Sequence, residues 1–196
     1  WKERNLKVIN AYLNATSTQK ILKYGPFDVI YLRHVYEHVD SPLELIKHLV
    51  SLLDEKGSII IEVPYLPSVI KYKRYENISY SHLHHYSIKS LDTIFNQFGM
   101  GLENYELVPN DGGSIIAYFK KETQTNPSII ENSLRENLKD FLSNGEGLKS
   151  IAQSKLNKYD KGTLVGYGAG AKGQHLIHAL DLEKFLSVVV DDTPGL

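Results

Sequence analysis

Apolar residues in this chain come in short dense runs separated by polar, glycine- and proline-rich punctuation, and the spacing inside each run sorts the elements. Phe27-Asp-Val-Ile-Tyr-Leu32 and Ser58-Ile-Ile-Ile-Glu-Val63 are compact and rich in β-formers, the pattern of strands buried on both faces of a parallel sheet. Between them Leu45, Ile46, Leu49, Val50 and Leu53 recur at helical spacing along one face. Ser41 as N-cap, Pro42 at the first helical position and Glu44 closing a capping box predict where that helix starts. Lys56-Gly57 predicts its end. Strand, helix and strand over this length form a βαβ unit with a right-handed crossover.

The flanking segments are read in the same way. Asn5 to Leu13 suggests a short strand and a turn, and Thr16 to Tyr24 a weak helix closed by Gly25-Pro26. Leu91, Ile94, Phe95 and Phe98 share a helical face that Gly99 stops. Leu102–Val108 and Ser114–Lys120 flank Pro109-Asn-Asp-Gly-Gly113, which predicts an antiparallel hairpin. Asn126 and Pro127 then open a helix carrying Ile130, Leu134, Leu138 and Phe141. Ser143-Asn-Gly-Glu-Gly147 is expected to break it, with another helix running to Tyr159. Thr163 to Gly168 reads as a strand entering a glycine-rich turn, followed by a helix from Ala171 to Leu180 and a strand from Phe185 to Val190. The expected fold class is α/β in two units, residues 1–122 and 123–196.

Composition narrows the function. Among 196 residues, 42% are hydrophobic and 23% charged, an ordinary globular balance, and the formal net charge is −1. Nothing in that charge calls for nucleic acid or an anionic membrane surface. Without cysteine there are no disulfides, thiolate metal sites or thiol nucleophiles. No apolar run reaches membrane-spanning length, so the expectation is a soluble cytoplasmic protein. The chain opens on Trp1 and closes directly after a strand-like run, and reads as an excerpt of a longer protein.

Candidate chemistry gathers in two stretches. Tyr31-Leu-Arg-His-Val-Tyr-Glu-His-Val-Asp40 follows a parallel strand, at the sheet end where ligands of open α/β folds bind. His34 and His38 there have a spacing that metal ligands use, but no third ligand stands at a matching spacing, so no metal site is expected. Tyr75-Glu-Asn-Ile-Ser-Tyr-Ser-His-Leu-His-His-Tyr-Ser87 packs three histidines and three tyrosines into one loop. Separately, Gly166-x-Gly168-x-x-Ala171 between strand and helix, with Asp191 or Asp192 about twenty residues on, fits a dinucleotide fingerprint. Its amides and Lys172 suit the phosphates of NAD or of a sugar nucleotide, and a purely structural turn is the plain alternative.

Asp-Val-Ile, then Val-Tyr-Glu-His-Val-Asp-Ser-Pro42, a helix, Lys-Gly57 and a strand resembles the middle of class I methyltransferases that use S-adenosylmethionine. Ile61-Glu-Val-Pro-Tyr65, Tyr75-Glu-Asn-Ile78 leading to His82, Asp111-Gly-Gly-Ser114 and Gly166-Tyr-Gly-Ala-Gly-Ala-Lys-Gly173 follow in an order that resembles sugar C-methyltransferases. The resemblance implies part of a class I, Rossmann-like methyltransferase sheet in residues 1–122. It implies a helical linker and the start of a second Rossmann-like domain in residues 123–196. It also implies S-adenosylmethionine as cofactor and a nucleotide-linked keto-deoxy sugar as substrate. His82 takes the position of the catalytic base and His38 that of a second active-site histidine. Leu32, Arg33 and His34 fall at the methionine end of the cofactor. Tyr65, Gly112, Gly113, Ser114, Gly168 and Lys172 fall on the substrate side.

The chain departs from the family's spelling, roughly Ile-Tyr-x-Glu-His: Ser79 stands where a tyrosine is expected and Ser81 where a glutamate is. Tyr80 is the candidate substitute for the first, and Asp111 replaces a histidine. Three alternatives therefore stay open: methylation of a sugar oxygen, an NAD-type or nucleotide-binding module, and a degenerate sugar-nucleotide binder. Because no glycine-rich loop precedes Phe27, isothermal titration of these 196 residues with S-adenosylmethionine is expected to show binding weaker than micromolar. Micromolar binding would refute that expectation.

Overall fold

A computed structural model describes residues 7–123, 125, 135–160 and 162–193. Its centre is a four-stranded mixed sheet in the order β1-β2-β4-β3. Strands β1 (Phe27–Arg33) and β2 (Leu53–Pro64) run parallel, with Leu32 beside Ile61 and Arg33 beside Glu62. Strand β4 (Ser114–Lys121) lies antiparallel to both β2 and β3 (Met100–Val108), so the hairpin forms as its turn residues predict. Asp111 (φ +51°) and Gly112 (φ +83°) supply the left-handed conformations of that turn.

Before the sheet, residues 7–13 form no strand. Asn14 instead caps α1 (Ala15–Ile21) through reciprocal bonds with Ser17, and a single 3₁₀ turn carries the chain on to Tyr24. Helix α2 (Pro42–Leu52) links β1 to β2 and begins at Pro42, but Ser41 makes no side-chain cap bond and the exposed Glu44 points toward Lys47. It also ends earlier than Lys56-Gly57. A Cβ on Gly57 would lie 2.8 Å from the Phe27 carbonyl oxygen, so this glycine permits close approach of β1 to β2. After the short α3 (Leu66–Lys71), a second capping box opens α4 (Ile88–Asn96), where Ser87 and Ser90 exchange bonds.

One face of the sheet is sealed. Ile59, Ile61, Val63, Ile115, Ala117 and Phe119 alternate inward along β2 and β4 and meet Ile46 and Leu49 of α2 and Leu91 and Phe95 of α4. Phe95 stacks on Phe119 with centroids 3.8 Å apart. The other face is not sealed. Contrary to a strand buried on both sides, β1 leaves Val29 at 55% and Tyr31 at 52% exposure, because both point to that uncovered face.

Beyond the sheet, α5 (Arg135–Leu156) runs without interruption through Gly145 and Gly147, where a break was expected. A Cβ on Gly145 would come within 3.0 Å of the Tyr75 ring, so that glycine marks a close helix-to-loop contact. Asn126, Ile130 and Leu134 lie outside the described residues. Strands β5 (Leu164–Tyr167) and β6 (Leu186–Val190) pair in parallel around α6 (Ala171–Ala179). No helix among the described residues is long and apolar enough to cross a membrane. Phe95→Ala or Phe119→Ala should cost about 3–5 kcal/mol in urea unfolding through the cavity each leaves. Val29→Thr, on the open face, should shift stability by less than about 0.5 kcal/mol.

Candidate active site

Two buried carboxylates organise the carboxyl ends of β1 and β2. Glu62, the penultimate residue but one of β2, is 2% exposed and accepts from Tyr31 Oη at 2.5 Å and Asn110 Nδ2 at 3.0 Å, with Arg33 Nε at 3.0 Å. Burial pushes its pKa up, but those hydrogen bonds and the charge of Arg33 together hold it below the usual carboxylate range. Glu37, on a one-turn 3₁₀ helix (Tyr36–His38) after β1, is 1% exposed. His34 stands between the two, with Nδ1 3.2 Å from Glu37 Oε1 and Nε2 3.5 Å from Glu62 Oε1. A left-handed backbone (φ +48°) and the bond from its N–H to the Glu62 carbonyl turn the chain there.

The histidine-rich loop is tied down over these groups. Tyr86 stacks on Tyr36 at 4.8 Å, the His84 N–H donates to the Glu37 carbonyl, and His38 Nδ1 lies 2.5 Å from the Ser81 carbonyl oxygen. His38 and His82 meet edge to face at 4.9 Å. One nitrogen of each ring and one Glu37 oxygen lie within 4.8 Å of one another. His82 is half-buried, and its Nδ1 has no hydrogen-bond partner. Burial lowers its pKa most and the neighbouring His38 lowers it further, while Glu37 opposes both; the net direction is down, so the ring is neutral near pH 7.

Other candidates are spread over two clefts. One, of about 840 Å³, is lined by Leu32, His34, Val35, His38, Asp40 and Glu44 among others. Arg33 does not line it, being engaged with Glu62. The second, of about 690 Å³, is lined by Tyr65, Lys71, Arg74, Gly112 and Gly113 with their neighbours. Ser114 is buried and donates to the Asn110 carbonyl, which fixes the turn. Tyr80 is 71% exposed, whereas Ser79 and Ser81 bond each other at 3.0 Å. Lys172 pairs with Asp111, joining α6 to the hairpin turn. At the glycine turn, Asp191 Oδ2 accepts from the Ala169 N–H at 2.6 Å, so an anion would have to displace that carboxylate. A Cβ on Gly173 would sit 2.3 Å from the Gly168 oxygen, the close packing that the glycines permit.

Sequence reasoning grouped Glu37 with His34 and His38 after β1 but did not pair it with His82, and it did not single out Glu62. The available signal for Glu62 was a charged residue near the end of a strand otherwise read as apolar.

A family profile described as a methyltransferase domain matches residues 4–105, more than half of the chain. The chain belongs to that family, whose class uses S-adenosylmethionine. C-methyltransferase NovU of Streptomyces niveus is 24% identical over 195 residues, covering 92% of this chain and 46% of NovU. The chain thus spans about half the length of that curated relative. Among solved structures, magnesium protoporphyrin IX methyltransferase from Synechocystis PCC 6803 is similar over 52% of this chain and 48% of its own, at 16% identity and a TM-score of 0.39. A Burkholderia thailandensis 1,6-didemethyltoxoflavin-N1-methyltransferase is similar over 50% and 45%, at 12% identity and a TM-score of 0.40.

The depressed pKa of Glu62 has a sign that unfolding can check. Its contribution to stability is present above the unfolded value of about 4.3 and is lost as pH falls through the lower folded value. The stability of wild type relative to Glu62→Gln, measured in urea at pH 7 and pH 3, should therefore decline on acidification. A constant difference would mean that Glu62 carries no linked proton.

Proposed function

We propose that the protein transfers a methyl group from S-adenosylmethionine to a carbon of a nucleotide-linked keto-deoxy sugar, with His82 as the base. The observation that carries this reading is the neutral, half-buried His82 imidazole held against His38 beside a buried Glu37. A general base needs a pKa near the working pH and a carboxylate to orient it. Where the family's spelling puts that carboxylate one residue before the base, this chain has Ser81, and Glu37 supplies it from β1's end instead.

The first cleft suits the cofactor by its chemistry. Ile30, Leu32 and Val35 offer apolar surface to the methionine chain, and the Asp40 and Glu44 carboxylates suit its ammonium and sulfonium charges. When bound, the cofactor supplies an electrophilic methyl group. The chain's own work is to hold the sugar and take its proton. His82 accepts the proton from the carbon beside the ketone, while Lys71 and Arg74 in the second cleft give cationic partners for the diphosphate. Tyr65, Gly112 and Gly113 border the same cleft on the sugar side. Residues 123–196 are read as a helical linker and the opening of a Rossmann-like unit that buttresses substrate binding. NovU, a C-methyltransferase, supports carbon as acceptor. Transfer to a sugar oxygen is the second reading, favoured by the solvent exposure of Tyr80, which leaves the enolate without that donor.

With labelled S-adenosylmethionine and a panel of nucleotide-linked keto sugars, His82→Asn should lower methyl transfer by about 10²–10⁴-fold. Mass spectrometry of the product separates carbon from oxygen methylation. Equal transfer by the variant would remove His82 from the mechanism. Glu37→Gln should slow the reaction and move the acidic limb of the rate profile to lower pH, since the carboxylate raises the His82 pKa.

A further inference from the structure

We propose that Glu37, His38 and His82 form a binding site for a divalent first-row transition cation of the zinc type. The Ser81 carbonyl oxygen can only accept, so His38 Nδ1, 2.5 Å away, carries the ring's hydrogen, and in the neutral imidazole Nε2 is a lone pair. That lone pair faces Glu37 Oε1 at 3.9 Å, which can also only accept. Glu37 Oε2 is buried without a hydrogen-bond partner, and so is His82 Nδ1. The cluster thus leaves Glu37 Oε2, the His38 Nε2 lone pair and His82 Nδ1 unmatched, in a place where an unmet polar atom costs about 1–3 kcal/mol.

A cation resolves that imbalance, and these donors suit one kind. Two imidazoles and a carboxylate match the preferences of zinc, cobalt and nickel better than those of magnesium or calcium. The three ligand atoms already lie within 4.8 Å of one another. Bonds of about 2.0–2.1 Å in a tetrahedral site require separations of about 3.3 Å, so binding would draw the three atoms closer together. The supporting shell is in place as well. His38 donates its other ring N–H to a backbone carbonyl, and Glu37 is steadied by His34, itself held by Glu62. His38 lines the first cleft, so a fourth coordination position opens toward solvent or ligand.

The site differs from the spacing that first suggested a metal. His34 is spent between two carboxylates, and the further donors are Glu37 and a histidine 44 positions beyond His38 in the chain (82 − 38). The proposal does not rest on methyl transfer. If both readings hold, a bound cation occupies a nitrogen lone pair of the base and inhibits the reaction.

The test uses the tag-free, chelator-stripped chain. Cobalt(II) titration followed by visible absorption, and zinc competition against a chromophoric chelator, should each show one equivalent bound. Glu37→Gln, His38→Asn and His82→Asn should each weaken binding at least tenfold, while His178→Asn, an exposed histidine of α6, should leave it unchanged. Circular dichroism confirms that each variant is folded, and zinc should raise the melting temperature of the wild type more than that of the three variants. Absence of stoichiometric binding would overturn the proposal. Wild-type affinity in the folded Glu37 and His82 variants would overturn it equally.

Discussion

Two carboxylates taken out of water at adjacent strand ends constrain everything around them. A buried ionised carboxylate costs several kcal/mol unless charges and hydrogen bonds compensate it. Glu62 is compensated on every side, by Tyr31 and Arg33 from β1 and by Asn110 from the hairpin turn. That set binds three separate segments at one point and fixes the turn bearing Asp111 and Gly112. Glu37 is compensated only on one oxygen, through His34. The contrast separates a fully paired carboxylate from one that keeps an unpaired oxygen in the neighbourhood of His38 and His82.

The loop from Tyr75 to Ser87 is held at both ends rather than draped over the sheet. Near its end, Tyr86 is sandwiched into the core against Tyr36, and the Leu66 N–H donates to the Tyr86 carbonyl. At its start, Tyr75 stacks on Phe141 of α5 and donates to the Phe141 carbonyl, while Asn77 donates to the Asp111 carbonyl. Asp111 in turn pairs with Lys172 of α6. Helices α5 and α6 therefore hold the start of the loop that carries His82, one directly and the other through the hairpin turn.

Membership of the methyltransferase domain family explains why so much polar chemistry lies at the carboxyl ends of β1 and β2, where open α/β sheets bind their ligands.

Local pattern was enough for the order of elements. Period-two and period-3.6 spacing gave β1, α2, β2, α4 and the β3–β4 hairpin, because alternation and turn chemistry depend on neighbours only a few residues away. It misread Gly57, Gly145 and Gly147 as breakers, since at Gly57 and Gly145 what glycine provides is close approach by a distant segment. It also misread β1 as buried on both faces, since what covers a sheet face depends on how distant elements pack on it. For the site, sequence pointed to His38 and His82 individually. Their meeting, the burial of Glu37 and the capture of Arg33 by Glu62 were decided by tertiary structure alone. The desolvation and hydrogen-bond geometry that set a side chain's charge exist only after segments dozens of residues apart have closed on one another.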